Sequence, residues 1–169
     1  MKRLISFLMV FVLAFSLVGC SNKEPFTREE ISATQLKKKM DDQASFIFMV
    51  ERDGCAFCKK LNKYIEKTQD EHPGIKVYVL DSTDFGFEKE SEDSKTLVST
   101  TKDGNILLNI SPYFIYTPAI YVVKKGKVKK VGVGYNEQNA TVALWNNAST
   151  VDFETAKYEE FWDFIESNA

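Results

Sequence analysis

The sequence predicts a single α/β domain in which a central mixed β-sheet is flanked by helices. A buried strand, a helix and a second strand follow one another within residues 45–81, and this βαβ order requires a parallel strand pair with a right-handed crossover. Residues 118–135 show the pattern of a two-stranded hairpin that turns at Lys125-Gly126. Residues 153–167 space their apolar side chains as an amphipathic helix that packs on the sheet.

The chain begins with the features of an export signal. A basic start at Lys2-Arg3 precedes an apolar run from Leu4 to Val18, and this order is typical of a secretory signal peptide. The run is too short and too near the N-terminus for a typical membrane-spanning helix. We therefore expect the protein to be exported.

The four residues "LVGC" at 17–20 resemble the lipobox of bacterial lipoproteins. The resemblance implies a lipoprotein signal peptide over residues 1–19, a diacylglyceryl anchor on Cys20, and a lipidated tether over residues 20–30. The folded domain would then span residues 31–169, on the extracytoplasmic face of the bacterial cell membrane. An ordinary signal peptide with a chance cysteine, or an uncleaved anchor, is the alternative.

The charges are nearly balanced, with 22 basic and 24 acidic residues and a formal net charge of −2. No basic stripe of the kind that nucleic-acid binding requires is present, so we expect no nucleic-acid partner. Of the three cysteines, lipidation of Cys20 would leave Cys55 and Cys58, which form a CxxC pair. Outside the cytoplasm thiols are not held reduced, so this pair can cycle between dithiol and disulfide or stay oxidised.

The first elements of the domain are predicted from local patterns. The stretch "TREE" at 27–30 is compatible equally with a helix cap and with the start of a short strand. Residues 32–42 have helical spacing, with Ser32 or Thr34 as the N-cap. The continuous apolar run at 45–51 predicts a strand that is covered on both faces.

The segment after the two cysteines predicts a helix followed by a strand. Its lysines lie opposite its apolar positions, as in a helix with one buried face. The sequence "HPG" at 72–74 ends this helix, and the alternation at 75–81 predicts the strand. The positions on the buried face are Cys58, Leu61, Tyr64, Ile65 and Thr68.

The CxxC pair stands where a buried strand ends and a helix begins. Cys55 is then at or near the helix N-cap, where unpaired backbone N–H groups and the positive end of the helix dipole favour a thiolate. Cys58 lies one turn further along and faces inward, where it can attack a mixed disulfide formed by Cys55. Thr117-Pro118 precedes the predicted hairpin, where proline is tolerated and a cis peptide bond is plausible.

The order of strand, CxxC, helix, strand, Thr-Pro, hairpin and closing helix resembles the thioredoxin superfamily over roughly residues 32–167. The resemblance implies a thiol–disulfide oxidoreductase with a redox-active disulfide and no further cofactor. Cys55 would attack the substrate and Cys58 would resolve the mixed disulfide. Pro118 would be a cis-proline facing the pair, and the backbone of Thr117 would bind an extended substrate strand.

The residues before the first cysteine depart from the thioredoxin pattern. Gly54 replaces the family's tryptophan, and Met49 stands where thioredoxins have a buried acid. Glu51 and Asp53 are the nearest acids, and strand alternation places both on the same side as Met49. Either is a candidate for assisting proton transfer, although Asp53 is equally explained as a turn residue.

The dipeptide between the cysteines also departs from the pattern, since Ala56-Phe57 replaces Gly-Pro. It lacks the histidine that oxidising relatives often carry there, so the direction of electron flow stays open. A Cys-Ala-Phe-Cys site together with a lipidated cysteine is similar to bacterial thioredoxin-like lipoproteins linked to bacteriocin transport.

Two stretches exceed what the minimal pattern needs. Residues 84–112 are predicted as an insertion with one helix, just before the proline loop. This insertion either forms a wall of the active site that selects partners or is a solvated surface excursion. Residues 136–150 are a second addition, in which Trp145 is expected to be in the core.

Other interpretations of the cysteine pair compete with redox exchange. A structural zinc site needs four Cys or His ligands. The domain offers three candidates, Cys55, Cys58 and His72, so we expect no bound metal. A static disulfide across so short a loop removes little entropy from the unfolded chain. A non-catalytic accessory or binding module in export or secretion is the alternative function. The expected partners are exported proteins with thiols or disulfides, a redox partner that resets the pair, and the membrane.

Overall fold

The computed structural model describes residues 24–111, 115–147 and 151–169. The predicted signal peptide over 1–19 and the predicted lipidation site Cys20 lie outside these residues. The elements in chain order are β1 (Thr27–Glu30), α1 (Ala33–Asp41), β2 (Phe46–Glu51), α2 (Ala56–Thr68), β3 (Lys76–Asp81), β4 (Phe87–Lys89), β5 (Leu97–Ser99), α3 (Lys102–Ile110), β6 (Ala119–Lys124), β7 (Lys127–Asn136), β8 (Thr141–Leu144), β9 (Tyr158–Glu160) and α4 (Phe161–Glu166).

Seven strands form one mixed sheet in the order β1-β3-β2-β6-β7-β8-β9. β1 and β2 both pair with β3 in parallel, while β6 to β9 add antiparallel strands beside β2. The strands β4 and β5 form a separate two-stranded sheet. The prediction of an α/β domain with a central mixed sheet flanked by helices is confirmed.

Two hydrophobic cores lie on the two faces of the sheet, and β2 contributes to both. Ile47 and Met49 pack with side chains of α2 and α4, whereas Phe48 and Val50 pack with side chains of α1 and α3. All four are buried, because successive side chains of a strand point to opposite faces. The continuous apolar run therefore marks a strand that is covered on both sides, as predicted.

The folded domain begins earlier than the sequence analysis placed it. Residues 27–30 form β1, so the strand alternative for "TREE" is correct. Phe26 is also buried, with its ring edge-to-face against Trp162 at a centroid distance of 5.1 Å. Because these residues pair with β3 and enter the core, they belong to the fold and not to the predicted tether.

The helix predicted over 153–167 is wrong in its extent. The helix α4 begins at Phe161, because the Glu160 carboxylate accepts hydrogen bonds from the N–H groups of Trp162 and Asp163 and caps it there. The residues before the cap form β9, which pairs with β8. The addition at 136–150 in turn supplies β8, so this stretch extends the sheet.

Residues 84–112 contain the β4–β5 hairpin followed by α3. The helix was predicted, and the two short strands were not. Leu107 anchors α3 in the core that it shares with α1. The hydroxyls of Ser99 and Thr101 donate to the Phe85 carbonyl at 2.5 and 2.9 Å and fix the end of the hairpin.

None of the helices within the described residues combines the length and the apolar character that a membrane span needs.

Candidate active site

The two cysteines of the CxxC form a disulfide at the start of α2. Cys55 is the helix N-cap, and its sulfur accepts a hydrogen bond from the Cys58 N–H at 3.1 Å. Both residues are largely covered, with 8% of Cys55 and 4% of Cys58 exposed. The N-cap position confirms the prediction, and it places the Cys55 sulfur at the end of the helix dipole that favours a thiolate.

The turn between β2 and α2 presents Cys55. Gly54 has a φ of +71°, a left-handed conformation that favours glycine, and a Cβ at this position would contact nothing within 4 Å. The Asp53 N–H donates to the Thr83 hydroxyl at 2.8 Å. The exposed Asp53 therefore behaves as the turn residue that the sequence analysis offered as one of its two interpretations.

Thr117 and Pro118 lie beside the cysteine pair, 62 residues further along the chain. The peptide bond between them is cis, and the Thr117 carbonyl oxygen lies 3.3 Å from the Cys55 sulfur. The Gly134 N–H donates to the Pro118 carbonyl at 2.8 Å, which ties the proline loop to β7. The structure thus brings together all four predicted redox and substrate-binding residues, whose roles stay predictions.

A groove of about 900 Å³ runs along one side of the site, beside Thr117. We call it the aromatic groove, because six aromatic residues line it. Phe57 comes from the CxxC dipeptide and Phe87 from the β4–β5 hairpin, so the insertion does form part of a wall beside the site. The aromatic residues that line the groove are Phe57, Phe87, Tyr116, Tyr135, Phe153 and Tyr158.

A second cavity of about 910 Å³ is lined by both cysteines. We call it the polar cleft, after Arg28, Glu51 and Asn62 in its wall. The Glu51 carboxylate accepts hydrogen bonds from Arg28 Nη2 at 3.0 Å and from Asn62 Nδ2 at 3.3 Å. With only 15% of its side chain exposed, Glu51 is the largely covered acid of this cleft.

Known proteins resemble this chain in structure but not in sequence. No family model matches the sequence, and no curated protein matches it. Thioredoxin f2 of Chlamydomonas reinhardtii is similar with a TM-score of 0.43 and 11% identity, over 64% of this chain and 84% of that one. Thioredoxin O1 of Arabidopsis thaliana in the oxidised state has a TM-score of 0.41 and 17% identity, over 66% of this chain and 88% of that one.

The fold assignment follows from the topology of the chain itself. A parallel βαβ unit carries the CxxC at the start of its helix, and an antiparallel hairpin with a closing helix follows a cis-proline. The domain has a thioredoxin fold. On this thioredoxin fold, β1 is an edge strand at one side of the sheet, and β8 and β9 extend the other side.

Several residues around the thioredoxin-fold site escaped the sequence analysis. Asn62 could have been found, since it lies four residues after Cys58 and therefore on the same face of α2. Tyr116 directly precedes Thr117, which is a further local signal. Arg28 gave no such signal, because it stands 23 residues before Glu51 in the chain.

The single histidine, His72, packs at the other end of α2 from the cysteines, against α4. The His72 ring stacks on Trp162 at a centroid distance of 4.0 Å, and its Nδ1 lies 2.6 Å from a Glu166 carboxylate oxygen. Both partners belong to α4. His72 therefore helps to hold the closing helix against the end of α2.

Proposed function

We propose that the chain is a membrane-anchored, extracytoplasmic thiol–disulfide oxidoreductase that acts on cysteines of exported proteins or peptides. The thioredoxin fold and the Cys55–Cys58 disulfide support thiol–disulfide oxidoreductase activity. The observation that carries the proposal is the position of the Cys55 sulfur, which caps α2 and lies 3.3 Å from the Thr117 carbonyl beside a cis-proline.

In the reducing direction, the Cys55 thiolate attacks one sulfur of a substrate disulfide and releases the other sulfur as a thiolate. The resulting mixed disulfide joins Cys55 to the substrate. Cys58 then attacks the Cys55 sulfur, which forms the Cys55–Cys58 disulfide and releases the second substrate thiol. Two electrons pass from the protein dithiol to the substrate. Disulfide formation in a substrate follows the same steps in reverse.

The second step requires Cys58 to lose its proton. Glu51 lines the polar cleft together with Cys58, and it is held in place by Arg28 and Asn62. We assign the Glu51 carboxylate as the acceptor of this proton, directly or through one water of the cleft. Arg28 Nε and Asn62 Oδ1 are buried without a hydrogen-bond partner in the described part of the chain, and buried polar atoms of this kind usually bind water.

The location is proposed from the N-terminal sequence. Residues 1–19 act as a lipoprotein signal peptide, and Cys20 carries a diacylglyceryl group whose two acyl chains give stable attachment. A Cys20→Ser variant is expected to lose the lipid mass and to leave the membrane fraction or remain uncleaved. Membrane attachment of a processed Cys20→Ser chain would contradict the anchor.

The experiment that tests the activity is a measurement of the reduction potential of the Cys55–Cys58 pair, with the full chain in detergent and glutathione as the reference couple. A value near the ~−270 mV of thioredoxin would assign a reductase that is reset by an electron donor. A value near the ~−120 mV of strong periplasmic oxidants would assign disulfide formation. Absence of exchange would overturn the proposal in favour of a non-catalytic accessory module.

A further inference from the structure

We propose that the aromatic groove selects extended substrate segments that carry an aromatic or other bulky apolar side chain beside the reactive cysteine. This inference rests on the proposed function, because it names the substrate class of the same site. Three observations carry it: the exposure of the aromatic side chains, the way they are fixed to the redox site, and the near neutrality of the groove.

The large apolar side chains that remain exposed are concentrated in the groove. Four such side chains are exposed among the described residues: Phe57 at 55%, Phe153 and Tyr158 at 47%, and Val98 at 41%. The three aromatic ones line the groove, and Val98 does not. An exposed apolar patch of this kind marks a contact surface, because leaving it in water forgoes hydrophobic stabilisation.

The aromatic side chains form a connected wall that is fixed relative to the cysteines. The Tyr158 hydroxyl donates to the Phe153 carbonyl at 3.0 Å. The Phe153 ring meets the Tyr116 ring edge-to-face at a centroid distance of 5.8 Å, and Tyr116 directly precedes Thr117. A wall that is already ordered loses little conformational freedom when it binds a ligand.

The groove is also open next to the cis-proline. Gly134 has a φ of +68°, and a Cβ there would contact nothing within 4 Å. Its N–H donates to the Pro118 carbonyl, so this open position lies next to the proline loop. Phe57 borders the groove from the helix side. A substrate backbone that follows Thr117 would therefore place its neighbouring side chains between Phe57 and the aromatic wall.

The charge of the groove favours an apolar occupant. Lys60 and Glu137 line it but form an ion pair with each other at 2.9 Å. Arg52 is the one further charged side chain among its described lining residues. The volume of about 900 Å³ is within the range of sites that enclose a ligand of several bulky groups. Thr117 lines the groove and its carbonyl oxygen lies 3.3 Å from the Cys55 sulfur, so a segment in the groove would lie next to the cysteine that Cys55 attacks.

The test compares two synthetic peptides that are identical except for the residues on both sides of one cysteine, which are phenylalanine in one and alanine in the other. Each peptide is supplied as its mixed disulfide with glutathione, and the reduced full chain in detergent is the electron donor. One protein dithiol becomes the Cys55–Cys58 disulfide as one peptide thiol and one glutathione are released. We expect the phenylalanine peptide to react about tenfold faster, the discrimination that a single apolar contact supplies.

Variants then locate the discrimination. Phe153→Ala is expected to lower the ratio of the two rate constants to about threefold or less, since it removes one wall of the groove. The ratio is taken within one preparation, so a loss of folded protein cancels. Phe57→Ala provides a second variant at a more exposed position. The matched control is Val98→Ala, which removes an exposed apolar side chain outside the groove and is expected to keep the ratio.

The outcomes separate the inference from the proposed function. Exchange with both peptides at equal rates would overturn the inference and leave the oxidoreductase intact. If both Phe153→Ala and Phe57→Ala keep the full ratio of the two peptide rate constants, the inference is also overturned. If the oxidised chain forms dimers and Phe153→Ala abolishes them, the groove binds a second copy of the chain. This outcome would also overturn the inference. No exchange with either peptide or with oxidised glutathione would overturn the proposed function itself.

Discussion

The polar cleft is lined by both cysteines, and the aromatic groove by their neighbours Phe57 and Thr117. The two cavities have nearly the same volume and differ in chemistry. The groove, at about 900 Å³, is walled by aromatic rings, and its charged lining residues are Arg52 and the ion pair of Lys60 with Glu137. The cleft, at about 910 Å³, is lined by arginine, glutamate and asparagine side chains that bond to one another. The difference supports the two proposals made above, in which the groove contacts the substrate and the cleft serves proton transfer.

One helix end contributes to this difference. Phe57 and Lys60 of α2 line the groove, whereas Cys58, Lys59 and Asn62 line the cleft. Phe57 and Lys60 are three residues apart and Cys58 and Asn62 are four apart, so the members of each pair share one face of the helix. The first turns of α2 therefore present one face to the groove and another to the cleft, and Cys55 at the N-cap lines the cleft.

Replacing either cysteine is expected to have the largest effect on thiol–disulfide exchange, and the two replacements should have different effects. Cys55→Ala is expected to reduce exchange by at least ~10³-fold, because it removes the nucleophile. Cys58→Ala keeps the nucleophile and is expected to accumulate a mixed disulfide with substrate. Mass spectrometry of both variants after reaction with a peptide disulfide measures this.

The paired variants also decide the roles of the two cysteines. Cys55→Ala should form little mixed disulfide on Cys58, and Cys58→Ala should form much on Cys55. Equal amounts in the two variants would contradict the assigned roles. Val98→Ala, with both cysteines present, is the control and should give neither adduct.

The second prediction tests the polar cleft alone. Glu51→Gln removes the proposed proton acceptor while keeping a side chain of similar size, so it should prolong the mixed disulfide by roughly 100-fold. The rate at which Cys55 first attacks should change much less, because the Cys55 thiolate is favoured by the helix N-terminus. Rapid-quench kinetics that separate the two steps provide the measurement.

The matched control for that variant is Asp53→Asn, at the other acid near the cysteines. Asp53 is exposed in the turn, so its amide should leave the resolving step unchanged. Equal slowing by both substitutions would assign the effect to net charge near the site and remove Glu51 from the mechanism.

A smaller effect is expected from the order of the aromatic wall. Tyr158→Phe keeps the ring and loses the hydrogen bond to the Phe153 carbonyl, which is 3.0 Å long. Because one such exposed bond contributes only about 0.5 kcal/mol, the preference for the phenylalanine peptide should fall about twofold. Competition between the phenylalanine and alanine peptides in one reaction gives the ratio directly.

Tyr64→Phe is the control for this substitution. It removes a tyrosine hydroxyl bonded to Glu160 at 2.7 Å, outside the lining of the groove. The peptide preference should remain unchanged in this variant. A drop equal to that of Tyr158→Phe would indicate a general loss of order in the domain.

The contrast between the two cavities also explains what the sequence could reveal. The elements around the cysteines were predicted correctly because their signals are local: an apolar run for β2, a 3.6-residue period for α2, and a Thr-Pro before β6. Cys55, Cys58, Thr117 and Pro118 were singled out by spacing and chain order. Their proximity depends only on the thioredoxin topology that those elements imply.

The walls of both cavities were harder to predict because they depend on contacts between distant residues. Arg28 reaches Glu51 only because β1 and β2 both pair with β3. Tyr158 fits the helical spacing of the residues that follow it, yet it lies in β9 because that segment pairs with β8. Local periodicity does not encode either pairing.

The smallest effect concerns the ion pair at the edge of the groove. The pair consists of Lys60 and Glu137. The hydrogen bond from Lys60 and its positive charge hold the pKa of Glu137 below the usual value of 4.5. A carboxyl whose pKa is lowered by folding stabilises the fold above its unfolded pKa and loses this contribution as the pH falls through its folded pKa. Glu137→Gln should therefore lower the thermal-unfolding midpoint slightly at pH 7, and the two midpoints should converge in acid below both pKa values.

The exposed position of this pair sets the scale and supplies the control. Exposed ion pairs stabilise little and are screened by salt, so the difference at pH 7 should shrink further at high ionic strength. Glu154→Gln removes the same charge from an exposed carboxylate that has no ion pair among the described residues, and it should show no convergence with pH. A large, salt-independent loss in Glu137→Gln would instead make Glu137 a structural part of the groove, which would extend the polar chemistry of the cleft to the aromatic side.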